Sequence, residues 1–231
     1  MATVARRVVA VTGGARGIGE AIGRALAARG ARVALGDVDE AAVRATAAAI
    51  GAGAIGLPLD VTSTASFAAF LDQVEQDLGP VDVLVNNAGV MWVGYSGDES
   101  EATALRQFDV NFHGVARGMR LVLPRMRARG AGHVVNIASV ASRVAPAGEA
   151  TYAASKHAAG TSPGGVSALE PQDVAAAVVR AIERPRFEVF VPGRVGALTR
   201  LLALLPQRGR DVLYGRLVPD QAAETDAAAR R

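Results

Sequence analysis

The 231-residue chain contains no cysteine, one tryptophan, three tyrosines and six phenylalanines. Without thiols it can form no disulfide, no thiolate metal site and no cysteine nucleophile. Its cations are not interleaved with aromatics, so nucleic-acid binding is not expected. No apolar run approaches the length of a membrane span. The opening MATVARRVVAVTGG holds only a short apolar run before its glycines. That is too short for a secretory leader, and a cytoplasmic location is expected. His113, His133 and His157 lack a metal-ligand spacing, so no metal is expected. Lysine is almost absent: Lys156 stands alone against 24 arginines. The net charge is +3, and the abundance of Ala, Gly and Arg reflects a coding bias.

Half of the residues are hydrophobic, enough for one sizeable core in a single α/β domain over residues 1–231. Apolar runs rich in β-branched residues predict strands at 8–12, 31–37, 54–61, 81–86 and 133–139. Helical spacing predicts helices at 17–29, about 39–50, 64–78 and about 100–129, and a further helix carries TYAASKHAA at 151–159. Strand and helix alternate, and the strands are uniformly apolar. That pattern predicts a parallel, doubly wound sheet flanked by helices, with the ligand site beyond the carboxyl ends of its strands.

TGGARGIG (12–19) follows the first strand and opens the first helix. Gly13, Gly17 and Gly19 let a pyrophosphate approach the backbone, and the helix start presents N–H groups and partial positive charge to it. The spacing is not that of a nucleotide-hydrolysing loop, because no Gly-Lys-Ser/Thr follows. Asp37 ends the second strand, where a carboxylate can accept hydrogen bonds from a ribose and repel a 2′-phosphate. It favours NAD over NADP, although it could equally cap the next helix, as Asp39 could. Arg16, inside the loop, pulls toward a 2′-phosphate. Asp60 and Val61 at the third strand's end read either as adenine contacts or, for Asp60, as a solvated turn.

Tyr152 and Lys156 are four residues apart and share one helix face. Ser139 ends the fifth strand and is placed to face them. A phenol titrates near pH 10, and bringing it to neutrality takes roughly 4 kcal/mol of differential interaction. A compact ammonium that also bonds ribose hydroxyls suits that task better than a flat guanidinium, which accounts for the single lysine. The alternative is an exposed lysine that escaped the coding bias.

Together, TGGARGIG, Asp37, NNAG (86–89), Asn111, Ser139 and Tyr152-x-x-x-Lys156 resemble the short-chain dehydrogenase/reductase (SDR) family, from about residue 6 to 158. The resemblance implies a Rossmann-like fold and an oxidoreductase acting on CH–OH groups. Tyr152 would be the general acid/base. Lys156 would lower its pKa and hold the nicotinamide ribose. Ser139 would polarise the reacting oxygen, and Asn111 would position a relay water. Cofactor contacts would come from Gly13, Arg16, Gly17, Ile18, Gly19, Asp37, Asp60, Val61, Asn86, Asn87, Ala88, Gly89, Tyr152 and Lys156. Asn86 and Gly89 could instead be purely structural, and Asn111 could simply bend its helix. The expected partner is a small alcohol or ketone, expected to be apolar from Met91, Trp92 and Val93, and the expected assembly is a homodimer or homotetramer if the family's dimer-building helix is present.

The family's next helix and strand are not legible after residue 156. EPQDVAAAVVRAIE (170–183) resembles its later helix, and FEVFVP (187–192) its last strand. Loss of a central strand would split the sheet. Either residues are omitted from the chain, or it is a rearranged relative, and then an inactive dinucleotide-binding sensor or scaffold is the alternative function. Residues 194–231 form a leucine- and arginine-rich extension, read as a packed helix or, less simply, as a membrane-surface helix.

Overall fold

A computed structural model describes residues 4–139, 141–144, 147–158 and 171–185. The chain divides into two compact units. The first comprises residues 1–89, 113–137 and 170–187, and the second comprises 90–112, 138–169 and 188–231.

The first unit is a parallel sheet with helices on both faces. Its strands are β1 (Val8–Thr12), β2 (Arg32–Asp37), β3 (Ile55–Pro58), β4 (Val83–Asn86) and β5 (His133–Asn136), in the order β3-β2-β1-β4-β5. Val11 lies beside Leu35 and Val85, and Val85 beside Val135. Side chains alternate through the sheet. Val9, Val11, Val33, Leu35, Val83 and Val85 join one core cluster. Into it pack Ile22 and Leu26 of helix α1 (Gly17–Ala27), Val43 of α2 (Glu40–Ile50), and Val178 and Ile182 of the last described helix, Pro171–Glu183. The other face carries α3 (Thr64–Leu78), with Phe67 and Phe70 edge to face at 6.3 Å. A β-carbon on Gly36 would meet Phe70 at 2.8 Å, so β2 is thinned where α3 crosses it.

The second unit carries α4 (Glu101–Phe108) and the π-helical turn Asp109–His113, whose last residue already belongs to the first unit. The chain runs from that turn into α5 (Gly114–Arg129) of the first unit. The expected helix over 100–129 is therefore interrupted by a widened turn at Asn111. After β5 come α6 (Ala141–Val144) and α7 (Ala150–Ala158), both in the second unit, and the helix Pro171–Glu183 becomes α8.

The third and fifth strands end earlier than expected. Pro58 closes β3, and Asp60 then accepts from Thr62 in a turn. Among the described residues the five strands form one continuous sheet. Among the described residues β5 pairs only with β4, and its residues are half-buried or exposed, so the described sheet ends there intact. Residues 159–170, the strand expected at 187–192 and the 194–231 extension lie outside the described residues. Among the described residues no helix is long and apolar enough to cross a membrane.

Gly56 tests the packing of α2 on β3. A β-carbon there would lie 2.4 Å from the Val43 carbonyl oxygen, a backbone atom that cannot rotate away. Gly56→Ala is expected to cost about 1–3 kcal/mol in urea unfolding, as overpacking does. An unchanged midpoint would show that the two elements yield at no cost.

Candidate active site

Within the first unit the strand ends of β1 and β4 build one feature. The buried Thr12 hydroxyl accepts from the N–H groups of Asn87 and Ala88, each at 3.0 Å. The Asn87 amide donates back to the carbonyls of Thr12 and Gly13 at 2.9 and 3.1 Å. Gly13 has φ +67°, and a β-carbon there would stand 2.8 Å from the Ala88 backbone. On Gly19 a β-carbon would stand 2.0 Å from the Gly13 carbonyl oxygen. Only glycine fits either place.

The start of α1 fits a phosphate. Helices α2, α3 and α4 are each capped by their own side chain: Asp39, Ser63 and Ser100. Arg16 at the head of α1 makes no such bond, and a β-carbon on Gly17 would meet nothing within 4 Å. A dipole end with open space before it is an anion seat. Ile18 packs against the core and anchors the first turn.

Asp37 is held by backbone donors: Ala15 N–H at 3.1 Å and Asp39 N–H at 3.2 Å. Asp39, not Asp37, caps α2. Thr46 of α2 donates to the Ala15 carbonyl at 2.6 Å, so Ala15 is gripped at both its N–H and its C=O. Nothing in the local sequence marked Thr46, because it meets the loop only after α2 folds back. Asp60 is exposed and serves the Thr62 turn, while the Val61 carbonyl accepts from Arg117. Asn86 is buried and donates to Asn136 at 2.9 Å between β4 and β5. This side-chain bond ties two neighbouring strands of the sheet. Gly89 follows this cluster as the last residue of its segment of the first unit.

The second unit gathers Asn111, Ser139, Tyr152 and Lys156. Asn111 is fully buried, and both its amide hydrogens and its carbonyl oxygen are hydrogen-bonded. It accepts from Val90 N–H at 2.9 Å and donates to Val90 C=O at 2.8 Å and to the Ser155 hydroxyl at 2.9 Å. Ser155 donates onward to the Tyr152 carbonyl at 2.8 Å. The sequence reading missed Ser155, although it is one turn beyond Tyr152 on the same helix. The Tyr152 side chain is hydrogen-bonded to Ser139. Lys156 is 5% exposed, with Nζ 6.0 Å from the centre of the Tyr152 ring.

The electrostatics differ from expectation. Burial pushes the Tyr152 phenol above its usual value; the Ser139 hydrogen bond pulls it down, and the Glu149 carboxylate pushes it up again. Burial also pushes Lys156 down to about 8. The net shift of the phenol is therefore upward where a lowering by the ammonium was expected, because desolvation is the largest cause for both groups. Among the described residues no group of three or more His, Cys, Asp or Glu could hold a metal. His133 and His157 serve other surroundings: His133 is lowered by burial, and the His157 ring contacts the Ser142 carbonyl at 3.0 Å.

Comparison with known proteins adds the following. A family model described as short chain dehydrogenase matches residues 7–162. Cis-4-hydroxycyclohexanecarboxylate dehydrogenase of Sinomonas cyclohexanicum is 37% identical over 232 residues, covering 96% of this chain and 88% of that protein. Two further curated relatives are covered over only 55% and 60% of their own length. A short chain dehydrogenase/reductase from Burkholderia phymatum, solved with NAD, superposes with TM-score 0.79 at 26% identity, over 88% of this chain and 95% of that one. A metagenomic short-chain oxidoreductase solved with NADP superposes with TM-score 0.73 at 34% identity, over 80% of this chain and 96% of that one.

The lysine's depressed pKa has a sign that can be tested. Between about 8 and its usual 10.5 the unfolded chain holds a proton that the folded chain does not. Stability from this group therefore rises with pH across that window. At pH 7 its buried charge costs roughly 3 kcal/mol. Lys156→Met is expected to be the more stable protein at pH 7, with the difference shrinking by pH 10 in urea titrations. A difference independent of pH would place the charge in contact with water.

Proposed function

The chain belongs to the short-chain dehydrogenase family, and from that premise we propose an oxidoreductase that moves a hydride between NAD and a secondary alcohol or ketone. The observation that carries this reading is the Tyr152 side chain bonded to Ser139, with Lys156 buried one turn further along α7. The nicotinamide, when bound, accepts or supplies the hydride. The chain's own residues do the rest. Ser139 donates a hydrogen bond to the reacting oxygen. Tyr152 gives that oxygen its proton in reduction and takes it in oxidation. A phenol held above its usual pKa keeps its proton at neutral pH, which suits it to the acid's role in ketone reduction. Lys156 would hold ribose hydroxyls and, once an anionic phenolate forms, stabilise it. The Asn111 side chain anchors the loop beginning at Val90, so the relay water that the family resemblance implies would have to be held by its main chain.

The phosphates would rest on the first turn of α1, beside Gly13, Gly17 and Gly19. Asp37 supports NAD, since two backbone donors hold its carboxyl group in place at the end of β2, where it would oppose a 2′-phosphate. Met91, Trp92 and Val93 support an apolar carbon skeleton around the reacting alcohol; the compound named for the Sinomonas relative is a ring secondary alcohol that also carries a carboxylate. A homodimer or homotetramer belongs to the same reading and rests on family resemblance alone.

Tyr152→Phe is expected to lower turnover at least a thousandfold with cyclic secondary alcohols and NAD, while the dissociation constant for NADH, read by fluorescence, stays within threefold. Retained turnover would remove Tyr152 from proton transfer. A wild-type chain that binds NADH but turns over no alcohol or ketone would point instead to a dinucleotide-binding sensor or scaffold. In the same assay NAD should bind at least tenfold more tightly than NADP, and Asp37→Ser should narrow that ratio. Preference for NADP would give Arg16 the deciding role.

A further inference from the structure

The loop from Val90 to Ser100 is tied to α4 and α7 by a hydrogen-bond relay that the chemistry above does not use. Glu99 is its centre. One carboxylate oxygen accepts from the Gln107 amide at 2.5 Å, and the other accepts from the Thr151 hydroxyl at 2.5 Å. Gln107 is 2% exposed, and its own carbonyl oxygen accepts from Trp92 N–H at 3.1 Å. Bonds to an ionised acceptor are short and strong, and a buried amide robbed of one partner bears the full desolvation cost. The relay therefore joins Trp92 to Thr151, the residue before Tyr152, through two side chains. A second tie, Gly94 N–H to the Gly148 carbonyl at 3.1 Å, runs beside it. All six residues belong to the second unit.

We propose that Glu99 is a positioning residue: it sets the place of α7, and hence of the Tyr152 hydroxyl, relative to the loop carrying Met91, Trp92 and Val93. Both Glu99 carboxylate oxygens are engaged by protein groups. Glu99 acts through Thr151 on one side and through Gln107 on the other. Proton transfer needs donor and acceptor within hydrogen-bond reach, and misplacement by about 1 Å costs on the order of a hundredfold. The inference rests on the reading of Tyr152 as the proton-transfer group, and its geometric half can be tested without turnover.

The relay offers a swap. Gln107→Glu sets two carboxylates against each other and breaks the central bond. Adding Glu99→Gln restores it in reverse. The amide then at position 99 donates to the carboxylate at position 107 and accepts from Thr151, while that carboxylate still accepts from Trp92. Glu99→Ala and Gln107→Glu are each expected to lower kcat at least tenfold, with the NADH dissociation constant within twofold. The double variant should recover most of the loss. Thr151→Val, which cuts one bond only, should lower kcat by a smaller factor even where Glu99→Ala folds poorly. Single variants with normal kcat would overturn the proposal, as would a double variant that regains melting temperature but not kcat. Amide hydrogen exchange over residues 150–158 should quicken in Glu99→Ala, and unchanged exchange would also overturn it. A wild-type chain without turnover would sink the proposed activity, while this exchange result would still decide the relay.

Discussion

Thr12 holds the ends of two neighbouring strands at one point. Its hydroxyl receives the N–H groups of Asn87 and Ala88, and the Asn87 amide returns two bonds to Thr12 and Gly13. β1 and β4 thus leave the sheet together, at the place where the strand order turns back on itself. Such a switch point opens a crevice in any parallel sheet. Here the crevice wall is backbone, because Gly13 and Gly19 admit no β-carbon. The uncapped first turn of α1, the Thr46 grip on Ala15 and the tethered Asp37 all adjoin the same glycine loop.

The second unit solves a different problem, the burial of ionisable groups. Tyr152, Lys156 and Glu149 all lie in low-dielectric surroundings, and each is shifted toward its neutral form. Burial of this kind opposes folding, so the surrounding polar groups must be well satisfied. Asn111 meets that condition fully, with three side-chain bonds at 0% exposure. Its carbonyl and amide are both turned toward Val90, and the helix accommodates this by widening to a π turn at Asp109–His113. A π turn inside a helix is costly and is kept where a site needs it. Glu99 and Gln107 extend the same pattern of satisfied polar groups to the loop between Val90 and Ser100.

Much of the fold was legible because buried parallel strands are apolar throughout and amphipathic helices repeat every 3.6 residues. VVAVT and VLVN declare themselves, and so does the stripe Phe67, Phe70, Leu71, Val74 of α3. Strand ends were less legible, since Pro58 stops β3 before its apolar run is finished. A bend at Asn111 was one of the readings its sequence allowed, but its cause was hidden, because Asn111 departs from helix geometry to reach a residue 21 positions away.

The amino-acid sequence by itself determined the alternation of strands and helices, the glycine turn, and the presence of one ammonium four residues after a tyrosine. Those are local matters of periodicity, missing β-carbons and spacing along one helix. Only the tertiary structure decided that Thr46 grips the loop, that Ser155 and Glu99 serve residues far along the chain, and that the phenol is held up rather than down. Desolvation and long-range hydrogen bonds arise from what surrounds a side chain, and no stretch of neighbouring letters records that.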